Sequence, residues 1–184
     1  MVDENIKVLG KLVTTNLEKL VLSNNKLKDL NHIFTEKIVN LKILDLSDNN
    51  INNLSQFMNN NLNNLEDLNL SYNKISDIEC LGNSDFLQNL KILNLSNNKI
   101  DKLKIIKLKS LIDLDLMNNE ITEGIKEFMK NNSSNKLNLK FNNNYISFTF
   151  SHQIKIKFIY KLIEQNYDKF FEDFNLNKIN DIEI

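Results

Sequence analysis

Leu41-Lys42-Ile43-Leu44-Asp45-Leu46-Ser47-Asp48-Asn49-Asn50-Ile51 is followed, 24 residues further along, by Leu65-Glu66-Asp67-Leu68-Asn69-Leu70-Ser71-Tyr72-Asn73-Lys74-Ile75. In both stretches large apolar residues hold places one, four, six and eleven, and Asn holds place nine. The same frame is met at Leu17, Leu20, Leu22, Asn25 and Leu27, then at Leu90, Leu93, Leu95, Asn98 and Ile100. It returns at Leu111, Leu114, Leu116, Asn119 and Ile121, and in degenerate form at Lys136, Leu139, Phe141, Asn144 and Ile146. Successive units start 24, 24, 25, 21 and 25 residues apart. Units of this length cannot bury an apolar face alone, so a recurring period means stacked coils with one shared core.

Over about residues 14–150 this pattern resembles the leucine-rich-repeat family, of the intracellular type. The departures are Lys136 where Leu belongs, Phe141 for Leu, and the short fourth step. The resemblance implies an α/β leucine-rich-repeat solenoid: a curved parallel β-sheet on the concave face, short helices or turns on the convex face, and helical caps. The expected organisation is one domain over 1–184, with an N-terminal cap at 1–16, six repeats over 17–150 and a C-terminal cap at 151–184.

The fixed places have physical reasons. Places four and six are two apart, so on a short strand both side chains point into the core. Places three, five and seven then point outward. The place-nine Asn stands where the chain leaves the strand, and its amide offers both donor and acceptor to backbone groups that a buried turn leaves unpaired. Stacking predicts a ladder of Asn25, Asn49, Asn73, Asn98, Asn119 and Asn144. Asn makes up roughly a fifth of the chain, while Ala, Arg, Pro and Trp are absent. Outside the ladder, Asn runs such as Asn59 to Asn61 read as an AT-rich coding bias.

At the ends, Ile6, Leu9 and Val13 recur at helical spacing and predict a small capping helix over 4–14. Ile156, Ile159, Ile163, Tyr167, Phe170 and Phe174 predict an amphipathic helix over about 155–174, with alternating residues at 146–158 leaving a strand pair open there. Phe34, Phe57, Phe86 and Phe128 fall in the return segments as core plugs, and 122–130 reads as a short helix.

Catalytic and cofactor chemistry fails on inventory. The two histidines, His32 and His152, are far apart in the stack, and three glycines cannot build a phosphate loop. Cys80 reads as a buried, inert thiol. No catalytic residue, metal site or cofactor is assigned, and an enzyme is not expected. Lys+Arg 23 against Asp+Glu 24, with every cation a Lys, gives no footprint for nucleic acid. The acidic first residues and the lack of a long apolar run point to a soluble, cytoplasmic or nuclear monomer without membrane attachment.

Function should therefore be read on the outward strand places. The third place runs Lys19, Ile43, Asp67, Ile92, Asp113, Asn138, and the fifth runs Val21, Asp45, Asn69, Asn94, Asp115, Lys140. The seventh runs Ser23, Ser47, Ser71, Ser96, Met117, Asn142, with Tyr72 beside Ser71. Exposed Ile43, Tyr72, Ile92 and Met117 among Asp45, Asp67, Asp113 and Asp115 form a candidate protein interface, with apolar anchors in a mildly acidic surround. The partner is expected to carry Lys or Arg at the contact. The protein would then be an adaptor or regulatory subunit. The alternative is a purely structural solenoid, or a fragment, whose partner surface lies on the convex side or the C-terminal helix.

Overall fold

A computed structural model describes residues 16–30, 38–59, 62–82, 87–103, 108–124, 128 and 137–144. All of these fall in the first of two compact units, Met1–Tyr145. The second, Ile146–Ile184, lies outside the described residues, as do the expected N-terminal capping helix over 4–14, the expected C-terminal cap, Phe34, Phe86, His32 and His152.

Six three-residue strands form one parallel sheet in sequence order. They are β1 (Lys19–Val21), β2 (Ile43–Asp45), β3 (Asp67–Asn69), β4 (Ile92–Asn94), β5 (Asp113–Asp115) and β6 (Asn138–Lys140). The register matches like place with like: Leu20, Leu44, Leu68, Leu93, Leu114 and Leu139 stand in one row. Pairing continues past the strands. The place-six amides of Leu22, Leu46, Leu70 and Leu95 each donate 2.8 Å bonds to the place-five carbonyl of the next coil. Beyond the turn, the amides of Asn50, Lys74 and Lys99 donate back to Leu27, Ile51 and Ile75 at 2.8 Å. Each coil thus satisfies its neighbour's backbone, which makes the molecule a solenoid.

The core is the Leu and Ile of places one, four, six and eleven. Leu41, Leu44, Leu46, Ile51, Leu65, Leu68, Leu70 and Ile75 have no accessible surface. Phe57 and Phe128 are buried plugs on the return side. There Ser55–Asn59 forms a 3₁₀ turn and Glu79–Gly82 a single helical turn. Asn53 and Asp77 start them, their side-chain oxygens accepting from the amides of Ser55 (2.7 Å) and Glu79 (2.8 Å).

Thr122 to Gly124, the start of the expected helix, are not helical. Glu123 instead forms an isolated parallel bridge with Lys102 of the preceding coil, with a 2.6 Å salt bridge between their side chains. Gly124 follows at φ +92°, and a Cβ there would stand 2.0 Å from the Leu103 carbonyl oxygen. Only after it does a helical bond form, from the Phe128 amide to the Gly124 carbonyl (3.0 Å). The shortened fourth step lies between these coils, where backbone meets backbone without room for a side chain.

Candidate interaction face

Two rows of asparagine fix where each strand ends. In Asn49, Asn73, Asn98, Asn119 and Asn144, Oδ1 accepts from the place-eleven amide of the preceding coil at 2.9–3.0 Å. Their Nδ2 atoms donate to the place-six carbonyl of the preceding coil at 2.9–3.0 Å. They also donate to the place-six carbonyl of their own coil at 2.7–3.1 Å. Asn25, in the first coil, donates within its own coil to the carbonyls of Leu22 and Ser23.

Place eight, immediately before, is left-handed in all six coils: Asn24, Asp48, Tyr72, Asn97, Asn118 and Asn143 have φ between 52° and 57°. Asn and Asp tolerate that region because their short side chains can bond locally. Asn118 donates to Asn97 (3.0 Å) and Asn143 to Asn118 (2.7 Å), giving a second, exposed ladder. On the return side Asn64 donates to the Val39 carbonyl (2.9 Å) and Asn89 to that of Asn63 (2.7 Å). Coding bias is therefore an incomplete reading for these asparagines outside the first ladder. These residues bridge coils or suit a left-handed turn.

The seventh place also needs correction. Ser71 and Ser96 are buried, not outward-facing. In three coils the Ser amide and hydroxyl both donate to the place-five side chain: Ser47 to Asp45, Ser71 to Asn69 and Ser96 to Asn94, at 2.7–3.1 Å. The Met117 amide does the same to Asp115 (3.0 Å). One oxygen of Asp45 and of Asp115 is thus committed to the turn. Ile43 and Met117, expected to be exposed, are half-buried. Strands ~4.8 Å apart let neighbouring side chains shade one another.

What remains outward is compact. Ile43, Asp67 and Ile92 stand side by side across β2, β3 and β4. Ile92 is 45% exposed and Tyr72, at the far end of β3, 60%. Burial, and then the negative charge of Asp45, push the Asp67 carboxyl above its ordinary range, with Lys19 opposing. Asp113 is engaged toward β6, by the Asn138 amide (3.0 Å) and the Lys140 ammonium (3.8 Å). At the start of the strands, Glu18 pairs with Lys42 (3.0 Å) and Glu66 with Lys91 (2.7 Å). Ile112 takes the next position of that row and is 56% exposed. Sequence reading missed Ile112 because place two lies outside the strand and was not weighed. The signal was an apolar residue where the four preceding coils carry Glu or Lys.

Cys80 is half-buried rather than fully buried, and burial pushes its thiol up to about 11, so little thiolate exists near neutral pH. Among the described residues no group of three or more His, Cys, Asp or Glu could hold a metal ion. None of their helices is long and apolar enough to cross a membrane.

A six-stranded parallel sheet of stacked coils with an asparagine at each strand exit defines a leucine-rich-repeat solenoid. Residues 39–85 match the family model described as leucine rich repeat, and 89–109 match a second of the same description. The chain belongs to the leucine-rich-repeat family. An internalin (inlF) of Listeria monocytogenes matches with a TM-score of 0.62 at 24% identity, over 79% of this chain and 44% of its own. A leucine-rich-repeat protein of Leptospira interrogans matches at 0.56 and 32% identity, over 80% and 36%. TLR13, solved in complex with ssRNA13, matches at 0.56 and 31%, over 71% and 20%. The chain therefore spans less than half the length of each of these three. No curated protein matches. Leucine-rich-repeat proteins are in general protein-interaction modules.

Proposed function

We propose that the chain is a protein-interaction module, an adaptor or regulatory subunit, that holds its partner on the outer face of the sheet over β2 to β4. The observation that carries this is the pair Tyr72 and Ile92: two large exposed side chains, Ile92 on the outer face of the sheet and Tyr72 at the exit turn that follows β3. Desolvated aromatic and aliphatic anchors supply most of the binding energy at interfaces, with polar surroundings excluding water. Ile43 beside them and Asp45, Asp67, Asp113, Asp115 and Met117 around them complete the surface. Nucleic acid is the weaker reading even though TLR13 was solved with RNA. The sheet face carries four Asp against Lys19 and Lys140, and the chain has no Arg, so phosphates would meet like charge. The reading places the protein in the cytoplasm or nucleus, acting as a monomer without a catalytic role.

The test is partner recovery from the native lysate with wild type, Tyr72→Ser and Ile92→Ser, alongside their melting temperatures. Both variants should melt within ~0.5 kcal/mol of wild type, as surface changes do. Each should lose ~2 kcal/mol or more of binding. Full recovery by both variants would move the binding surface off this face.

A further inference from the structure

Resting on the sheet-face reading, we propose that Asp67 is the receptor for a single Lys or Arg side chain on a linear segment of the partner, with that side chain's aliphatic stem lying between Ile43 and Ile92. The argument begins with where the other carboxylates go. Glu18, Glu66 and Glu123 are in salt bridges. Asp113 holds Asn138 and Lys140, while Asp45 and Asp115 each accept from their own turn. Asp77 caps a helical turn, and Asp29 and Glu79 have partners of their own. Asp48, Asp101 and Glu120 are exposed to water. Among the described residues Asp67 alone is a carboxylate that is partly withdrawn from water with neither hydrogen bond nor salt bridge.

Its neighbours select the occupant. Strand pairing places Ile43 on one side and Ile92 on the other. Asp45 adds negative charge from the adjacent strand, while the opposing cation, Lys19, stands two strands away on β1. A partner carboxylate would be repelled, and a neutral donor would leave the negative charge uncompensated. Lys and Arg match both parts of the site, because they bury a hydrocarbon stem along apolar surface and deliver charge at its end. The trio spans only two strand spacings, ~10 Å, which suits one extended segment rather than a broad surface.

The probe is a random twelve-residue peptide library displayed on phage and selected on the immobilised full chain. Enriched peptides are then made synthetically, and their affinities are measured at low and physiological salt. Enriched sequences should carry a Lys or Arg among apolar residues. Asp67→Asn should weaken them about tenfold or more, as loss of a desolvated charge partner does, and flatten the salt dependence. Asp67→Asn should melt at or slightly above wild type, which separates lost recognition from lost fold. Selection on Asp67→Lys should enrich acidic peptides instead. Binding that falls with Ile92→Ser and Tyr72→Ser but not with Asp67→Asn overturns this assignment and leaves the sheet-face reading standing. Binding indifferent to all three variants overturns both. Enrichment of neutral or acidic peptides on wild type, or no enrichment at all, also overturns the assignment.

Discussion

The exit turn and the outer face belong to the same strands, yet they use sequence in opposite ways. At the turn, place nine is Asn in all six coils, and place eight is Asn or Asp in five. On the face, place three runs Lys, Ile, Asp, Ile, Asp, Asn, with no residue type held through the coils. The difference follows from backbone supply and demand. A strand's amides and carbonyls are satisfied by the neighbouring strands, so its place-three side chains owe the backbone nothing, whereas the place-five Asp and Asn side chains already serve the turn. At the turn the backbone needs a side-chain amide and a left-handed residue in every coil, and few residue types comply. Tyr72 is where the two regimes collide. It takes a turn position that demands Asn, and it presents the most exposed large apolar side chain described.

The strongest way to break this contrast is at Gly124, where demand is absolute. Gly124→Ala puts a Cβ 2.0 Å from the Leu103 carbonyl oxygen at φ +92°. Backbone strain and forced displacement should together cost ~4 kcal/mol. Denaturant unfolding of wild type and variant measures it. A loss under ~1 kcal/mol would mean the two coils separate easily. The next largest effect belongs to the ladder. Asn73→Ala strips partners from the Ile51 amide and from the carbonyls of Leu46, Leu70 and Ser71. A loss of ~2 kcal/mol is expected, since the Ile51 amide becomes a buried orphan at ~1–3 kcal/mol while Leu46, Leu70 and Ser71 keep their bonds from Asn49, Asn98 and Asp48. Asn52→Ala, at an exposed return position, should change stability by less than ~0.5 kcal/mol. Equal melts for the two Asn variants would dissolve the distinction between ladder and loop asparagines.

How much of this was legible from sequence also divides at the turn. Strand positions, register and the inward Leu rows were readable, because a period-two pattern repeated at a fixed interval leaves only one way to stack. The Asn at place nine was readable because its chemistry answers a definite backbone deficit. Place eight was not. Its requirement is a torsion angle, φ near 55°, and composition alone made its Asn residues look like bias. Ser71 and Ser96 were misread because the alternation that orients places three and five stops where the strand stops. Gly124 was hidden inside an apparent helix, since its reason is the Leu103 carbonyl of another coil. Which outward residues are shaded, as Ile43 and Met117 are, depends on neighbours that a single repeat does not display.

Tyr72→Asn tests the collision directly, with opposite signs for fold and function. The left-handed region suits Asn and strains a bulky side chain, so the variant should be more stable by ~1 kcal/mol. The same substitution removes the aromatic anchor and should reduce partner recovery. A variant that is destabilised, or that is stabilised and binds as before, would show that Tyr72 marks no exchange of stability for binding.

The smallest effect sits on the face itself, at Asp67. Its carboxyl titrates above the ordinary value of 3.8, from burial first and the Asp45 charge second. Between the unfolded and folded values the native protein keeps a proton that the unfolded chain has released. Stability from this group is therefore fully present below the unfolded value and is lost as pH rises through the folded one. Asp67→Asn removes that dependence. The melting difference, variant minus wild type, should grow from acid toward neutral pH and then level off. At its plateau it should stay within the ~0.5 kcal/mol typical of surface substitutions. A difference of the opposite slope would mean Asp67 is stabilised by its charge in the native state. It would then already have a partner within the chain, and the outer face would owe the fold more than its free sequence suggests.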